Sequence, residues 1–151
     1  MNDGAGGTEA TDGSEEGQPD LVITGFTLGG ETSELTISQG ENAELGFKFK
    51  NQGTADISAT QIFVIDFTIT PPADTATFVC DGNDYSSLNY AGLVTGQEKG
   101  ISAWGYSGCA LKTSSLNPGT YKVRMDIDAE NHIYESNEDN NAAGLITLRI
   151  E

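Results

Sequence analysis

The chain is short of positive charge. Lys and Arg together number 7 against 23 Asp and Glu, for a formal net charge of −16, and none of the basic residues falls within the first 18 positions. A surface this negative repels phosphate backbones, and no basic stripe offsets it, so the charge argues against nucleic-acid partners. Anionic membrane surfaces are disfavoured for the same reason. There is one histidine, His132, and no G-x-S-x-G elbow to hold a nucleophile in place. P-loop, G-x-G-x-x-G and H-E-x-x-H patterns are missing, as are the clustered cysteines of a structural zinc site. These absences predict a protein that is not an enzyme. No apolar run is long enough to span a membrane as a helix, which predicts no membrane insertion, and no secretory signal is present. Met1 is therefore expected to mark the position of a removed signal or lipoprotein leader, which implies an extracellular or cell-surface location.

Long amphipathic helical runs are missing too. Instead there are 19 glycines and many short alternating segments, the profile of an all-β domain with frequent turns. Residues 1–18 hold no bulky apolar side chain after Met1, so they cannot bury enough surface to offset the entropy of ordering them. They are expected to form a disordered acidic tether, with a single domain over residues 19–151. Within that domain Asp20 to Leu28 reads as a first strand, with Leu35 and Ile37 as a short continuation. Ala43, Leu45, Phe47 and Phe49 alternate with Glu44, Gly46, Lys48 and Lys50, a half-buried strand. Ile57 to Ile69 is a longer β-rich run stopped by Pro71-Pro72, because proline cannot donate to a ladder. Thr77 to Cys80 suggests a short strand, Asp81 to Gly96 a long polar connection, and Lys99 to Cys109 with Ala110 to Lys112 another strand region. After the Asn117-Pro118-Gly119 turn, Tyr121, Val123, Met125 and Ile127 point inward, and Ile146, Leu148 and Ile150 close the domain. The pattern predicts an all-β fold: an immunoglobulin-like antiparallel β-sandwich of about seven to eight strands, with no helix.

Cys80 and Cys109 permit one intramolecular pairing or two reduced thiols. An acidic, glycine-rich β-protein reads as extracellular, where disulfides persist, and the bridge is the expected form. Closing a loop of about 30 residues is worth roughly 3 to 4 kcal/mol in the chain-entropy description. Near both cysteines stand Tyr85, Tyr90, Trp104 and Tyr106. If Ile101 and Ala103 face the core, alternation turns Trp104 and Tyr106 outward, and exposed rings beside Asn and Asp are the means by which β-sandwiches stack on sugars. The alternative is that Trp104 is core and the tyrosines cover a disulfide-pinned loop.

The densest group of oxygen ligands lies between Asp126 and Asn141. Asp126, Asp128, Glu135, Asn137, Glu138 and Asp139 offer hard donors of the kind calcium takes six to eight of, with no Lys or Arg among them. An EF-hand is excluded: counting from Asp126, the sixth position is Asn131 where Gly is required, and the twelfth is Asn137 where Glu is required. Asn and Asp also bond to nearby backbone amides and tolerate left-handed conformations, so the same residues build irregular loops without metal. The loop-building reading is the leading one, so no cofactor is expected, and calcium stands as the alternative.

Pro19-Asp20-Leu21, Asn51-Gln52-Gly53-Thr54-Ala55, the Pro118-Gly119 turn, and Asp128 through Asn131 to Glu135-Ser136-Asn137-Glu138-Asp139-Asn140-Asn141 together resemble the cell-adhesion-related domain of bacteria, CARDB. The resemblance spans roughly residues 19–151. It implies an immunoglobulin-like sandwich in which Asn51, Gly53, Asn131, Glu135, Asn137, Asn140 and Asn141 act as fold signature. It further implies a non-catalytic module of a bacterial secreted or surface protein, serving adhesion or spacing, whose partners are neighbouring modules of a larger chain and a cell-surface protein or glycan. The segment from Pro71 to Cys109 departs from the family pattern in its length, cysteines and aromatics, and its Asp81 to Gly108 portion is the expected contact surface.

Overall fold

Hydrophobic alternation translates directly into strands. A computed structural model describes residues 17–151. Its strands are β1 (Leu21–Leu28), β2 (Glu34–Ile37), β3 (Ala43–Asn51) and β4 (Ile57–Thr70). There follow β5 (Asp74–Thr75), β6 (Phe78–Cys80), β7 (Asn83–Tyr85) and β8 (Ser87–Leu93). The chain finishes with β9 (Glu98–Gly100), β10 (Cys109–Leu111), β11 (Gly119–Ile127) and β12 (Ile146–Ile150). In β3 every second residue from Ala43 to Asn51 is buried, and in β11 Tyr121, Val123, Met125 and Ile127 are buried while Lys122 and Arg124 are exposed.

The strands form two six-stranded sheets. In the first, β3 is central, with β1 antiparallel along one edge and β9 followed by β10 along the other. β6 pairs with β10, and β7 pairs with β6. In the second sheet β4 lies between β11 on one side and β8 with β5 on the other. β12 pairs antiparallel with β11, and β2 runs parallel to β12 at the edge. The two inner faces meet through Phe26, Phe47 and Phe49 of the first sheet and Phe63 and Phe67 of the second, with ring centroids 5.4 to 5.9 Å apart. This is the all-β, two-layer sandwich that the sequence predicts, with twelve strands among the described residues where seven to eight were expected, several of them only two or three residues long, and with one parallel strand pair added.

The sandwich has two distinct poles. β1 begins beside Asn51, at the end where β4 starts and β8 finishes, because Leu21 pairs with Asn51 and the Asn51 amide bonds to Leu93. β12 ends beside Gly119 and Ile37, at the opposite end. The chain thus enters at one pole, here called upper, and leaves at the lower. The nine residues of β3 that join them span about 30 Å.

Four expectations need correction. Gly17 and Gln18, assigned to the tether, belong to the folded body: the Gln18 carbonyl accepts from Thr54 and Ala55 at 2.9 and 3.3 Å. The rest of the expected tether, residues 1–16, lies outside the described residues. Asp81 to Gly96 is no long connection. Asp81-Gly82 forms a two-residue hairpin loop between Cys80 and Asn83, with φ of 48° and 90° at its two residues, and β8 follows almost at once. An Asp-Gly pair is the standard residue choice for such a primed turn, so a sequence signal was present there. Lys99 to Cys109 is not one strand: β9 stops at Gly100, Ile101–Trp104 make a single 3-10 turn, and β10 rejoins the same edge of β3. That turn is also the helical element the alternation did not foresee.

Cys80 and Cys109 stand directly opposite each other on β6 and β10 and are joined by a disulfide. Both are buried. Each strand is only three residues long, too short for its ladder to outweigh much chain entropy, so the covalent link carries the pairing. Replacing both cysteines by alanine should lower unfolding free energy by about 3 kcal/mol, read from the guanidinium midpoint, with the loss appearing equally when the parent protein is reduced.

Candidate functional site

The upper pole is built around buried polar side chains. β1 is an edge strand, so its first amides have no ladder partner ahead of Leu21 and must find acceptors elsewhere. Asn51, fully buried at the end of β3, supplies one. Its Oδ1 accepts from the N–H of Asp20 and of Gly53, both at 3.0 Å, while its Nδ2 donates to the carbonyls of Ala55 at 2.9 Å and Leu93 at 3.0 Å. All four hydrogen-bonding positions of the amide are used, which is what makes a buried Asn tolerable. Gly53 must be glycine because an added Cβ would fall 2.3 Å from the Gln18 carbonyl oxygen.

Glu135 supplies the second acceptor from the far end of the chain. Its Oε1 takes the Leu21 N–H at 2.7 Å and its Oε2 takes Asn141 Nδ2 at 2.8 Å. The Asn140 amide donates to Asp20 at 3.0 Å, and Ser136 N–H donates to the Pro19 carbonyl at 3.0 Å. Residues 114 to 120 positions apart are thereby tied across the pole. The signature residues of the C-terminal loop act on β1 as much as on β11 and β12.

The loop holds its own shape by local bonds. Asp128 and Asn131 take left-handed backbone, φ 54° and 60°, and the Asn131 N–H donates to the Asp128 carbonyl. Asp128 caps the turn, its two carboxylate oxygens accepting from His132 N–H at 2.8 Å and Ile133 N–H at 3.1 Å. Asn137 Oδ1 accepts from Asp139 N–H, and Glu138 from Glu135 N–H. His132 lies exposed, its ring nitrogen 3.4 Å from the Glu130 carboxylate.

Of the six residues with metal-ligand chemistry, three converge. Carboxylate oxygens of Asp128, Glu135 and Glu138 all lie within 4.8 Å of one another. Asp128 and Glu135 are each only 4% exposed, and Glu138 sits at the surface. Asp126 is taken up in an ion pair with Arg124 at 3.1 Å, and Asn137 and Asp139 are exposed and engaged in the local turn. Two buried amide oxygens of the same loop, Asn140 Oδ1 and Asn141 Oδ1, have no hydrogen-bond partner. Burial pushes the Glu135 carboxyl up to about 8, with the Glu138 charge adding to the effect and the bonds from Leu21 and Asn141 opposing it. Asp128 is raised as well, chiefly by burial, against the pull of the His132 and Ile133 amides. Asp66, directly across the ladder from Asp126, is raised by burial first and then by Glu130 and Asp126. Sequence reading passed over Asp66 because its partner in space is 60 positions away.

The four aromatics of the insertion do not form one flat surface. Trp104 is half-buried against Phe47, Phe49 and Tyr90, with centroids 5.3 to 6.0 Å apart, and its Nε1 donates to the Asn89 carbonyl at 2.8 Å. It therefore bridges the turn beside β3 to β8 of the other sheet, closing the open side of the sandwich. The Trp104 and Tyr90 ring planes meet at 70°, and those of Tyr85 and Tyr106 at 46°. The outward placement of Trp104 that alternation predicts fails because the strand gives way to the 3-10 turn at Ile101. Tyr106 stands over Tyr85, their ring centroids 5.5 Å apart, and the Tyr85 side chain first, with lesser desolvation, pushes the Tyr106 phenol up to about 12. The exposed Asp81 carboxylate accepts from the Ser107 amide and hydroxyl and the Gly108 amide, which anchors the insertion beside the disulfide and lowers its pKa.

The CARDB family model matches residues 18–144, most of the chain. The chain belongs to the CARDB family. No relative is found among curated proteins. Among solved structures it is similar to the CARDB domain of the PF1109 protein from Pyrococcus furiosus, determined in complex with di-metal ions, at 19% identity and a TM-score of 0.59, covering 89% of this chain and 90% of that one. A solution structure of the same archaeal domain gives a TM-score of 0.57, over 88% and 95% of the two chains at 19% identity. The 272–376 domain of a putative cell surface protein from Methanosarcina acetivorans gives 0.53 at 18% identity, covering 87% and 92%. These likenesses establish the CARDB fold for this chain. Among the described residues no helix is long and apolar enough to cross a membrane.

The raised Glu135 carboxyl has a defined consequence for stability. Its stabilising contribution is complete below its unfolded-state value of 4.5 and is lost as pH rises through about 8, because the folded state holds the proton more tightly. In chelator-treated buffer the denaturation midpoint should fall across this range. Glu135→Gln keeps an oxygen for the Leu21 amide and should flatten that slope, which chemical denaturation at a series of pH values measures.

Proposed function

We propose that this CARDB domain is a non-catalytic spacing module of a secreted or cell-surface protein. The observation that carries the reading is polar separation: the chain enters beside Asn51 and Glu135 and leaves beside Gly119, at opposite ends of the sandwich. Copies or neighbours joined through such ends line up along the long axis, each adding roughly the 30 Å length of the sheet. The strong negative charge supports the same reading, since like-charged modules stay apart and in solution. The description of the Methanosarcina relative as a putative cell surface protein agrees with a surface setting, and adhesion enters through whatever partner such an array presents. Two copies joined in tandem through residues 1–16 should show, by small-angle X-ray scattering, a maximum dimension close to twice that of one copy plus the linker. A dimension near that of a side-by-side pair would overturn the reading.

A second reading concerns calcium at the upper pole. Three mutually close carboxylates, two of them buried, form an all-oxygen donor set that suits a hard cation, and two amide oxygens elsewhere in the same loop lack a hydrogen-bond partner. The Pyrococcus relative, solved with di-metal ions, agrees with this in kind. Asp128, Glu135 and Glu138 would hold the ion, which would supply the positive charge that the buried carboxylates lack. Its role would be structural, fixing the loop that grips β1. Calcium titrated into the chelator-treated protein should raise the melting temperature saturably and displace the amide resonances of residues 128–141, and Glu138→Ala should weaken both responses. A melting temperature indifferent to millimolar calcium would leave the proton on Glu135 as the sole relief for the cluster.

A further inference from the structure

We infer that the fold contains a mechanical clamp, a parallel strand pair placed so that tension between the chain's two ends loads its hydrogen bonds in shear. The inference takes its purpose from the spacing reading, but the clamp itself is a property of topology.

The load path can be followed residue by residue. The chain enters at the upper pole and runs down the first sheet as β1, paired among the described residues only with β3. After the turn at Gly29 and Gly30 it crosses to the second sheet and continues downward as β2. There β2 lies parallel to β12, the strand by which the chain leaves, with Glu34 beside Thr147, Leu35 beside Leu148, Thr36 beside Arg149 and Ile37 beside Ile150. Further bonds extend the ladder at each end: Thr147 N–H to the Ser33 carbonyl at 2.8 Å, Glu151 N–H to the Ile37 carbonyl at 3.0 Å, and Gln39 N–H to the Glu151 carbonyl at 2.9 Å. Arg149 adds an ion pair with Glu34 across the same seam.

Pulling the entering end up and the leaving end down slides β2 and β12 past each other along their common axis. Parallel strands have evenly spaced bonds, so the load is shared and the bonds must fail nearly together. Each contributes little to equilibrium stability, because water replaces it on unfolding. Their mechanical effect is larger, since resistance to force is set by the unfolding rate and a shared load raises the barrier to the first step. Behind the seam, Leu148 and Ile150 are buried, and Leu35 and Ile37 are half-buried against the same core, so sliding also drags apolar surface out of contact. In an antiparallel terminal pair, both chain ends at one pole would unzip bond by bond. Opposite exit poles and parallel pairing are the two features that prevent this, and both are decided by the crossing of the first strand from one sheet to the other.

The test is single-molecule force spectroscopy on the full chain in two geometries. Handles at the two termini load the seam in shear. Handles at the C-terminus and at a cysteine introduced as Gly40→Cys load the same bonds from one end, in peel, and the Gly40→Cys protein pulled between its termini confirms that it folds as the parent does. The unfolding force between the termini should be several-fold higher than in peel. Gln39→Pro, which deletes one donor of the seam, should lower the force between the termini, while Gln39→Ala, which keeps the backbone donor, should not. Equal forces in the two geometries would overturn the clamp. Unequal forces with Gln39→Pro indistinguishable from Gln39→Ala would move the resistance to the β1–β3 ladder and overturn its assignment to the β2–β12 pair. Neither outcome bears on the scattering dimension of a tandem, so the clamp and the spacing reading fail separately.

Discussion

An edge strand has first amides with no ladder partner ahead of them, and this protein's architecture answers that need at β1 with two buried side chains. Asn51 takes the Asp20 amide and Glu135 takes the Leu21 amide, one from the end of β3 and the other from the loop before β12. Each acceptor is itself completed by further bonds, to Leu93, Ala55 and Gly53 on one side and to Asn141 on the other. A side chain that satisfies several backbone groups at once is hard to replace, because truncation leaves every one of them buried and unpaired. The same bonds determine where the chain enters, and hence that entrance and exit lie at opposite poles.

The acidic loop shows how one set of residues can serve structure while remaining chemically poised. Asp128 and Glu135 were drawn inward by the backbone amides they cap, and burial then leaves them as neighbouring carboxylates without a cationic partner among the described residues within ion-pairing distance. Two like charges in a poorly solvated site are relieved by a proton or by a cation. A raised Glu135 and a calcium site are thus two answers to one electrostatic problem, and the geometry that creates the problem is the geometry that holds β1.

The insertion has a structural part in the fold. Its disulfide joins two three-residue strands, its 3-10 turn drops Trp104 between the sheets, and the Asp81 carboxylate ties the returning chain to the hairpin. The rings therefore spend their surface on one another and on Phe47 and Phe49, extending the core to the open side of the sandwich.

What the amino-acid sequence determined by itself was the set of strands whose environment is local in origin. β3 and β11 alternate because their two faces differ, and that difference is written at every second residue; the Asn-Gln-Gly and Glu-Ser-Asn signatures likewise mark family and fold. Tertiary structure alone decided the rest. The strand expected through Trp104 gives way to a turn because a ring that can fill a gap between sheets gains more from burial than alternation gains from continuity. The pairing of β2 beside β12, the meeting of Glu135 with Leu21, the opposition of Asp66 and Asp126, and the convergence of three carboxylates out of six all join residues far apart in the chain. No local pattern encodes such distances, because they depend on which sheet each strand enters, and that choice is made only when the two apolar faces close on each other.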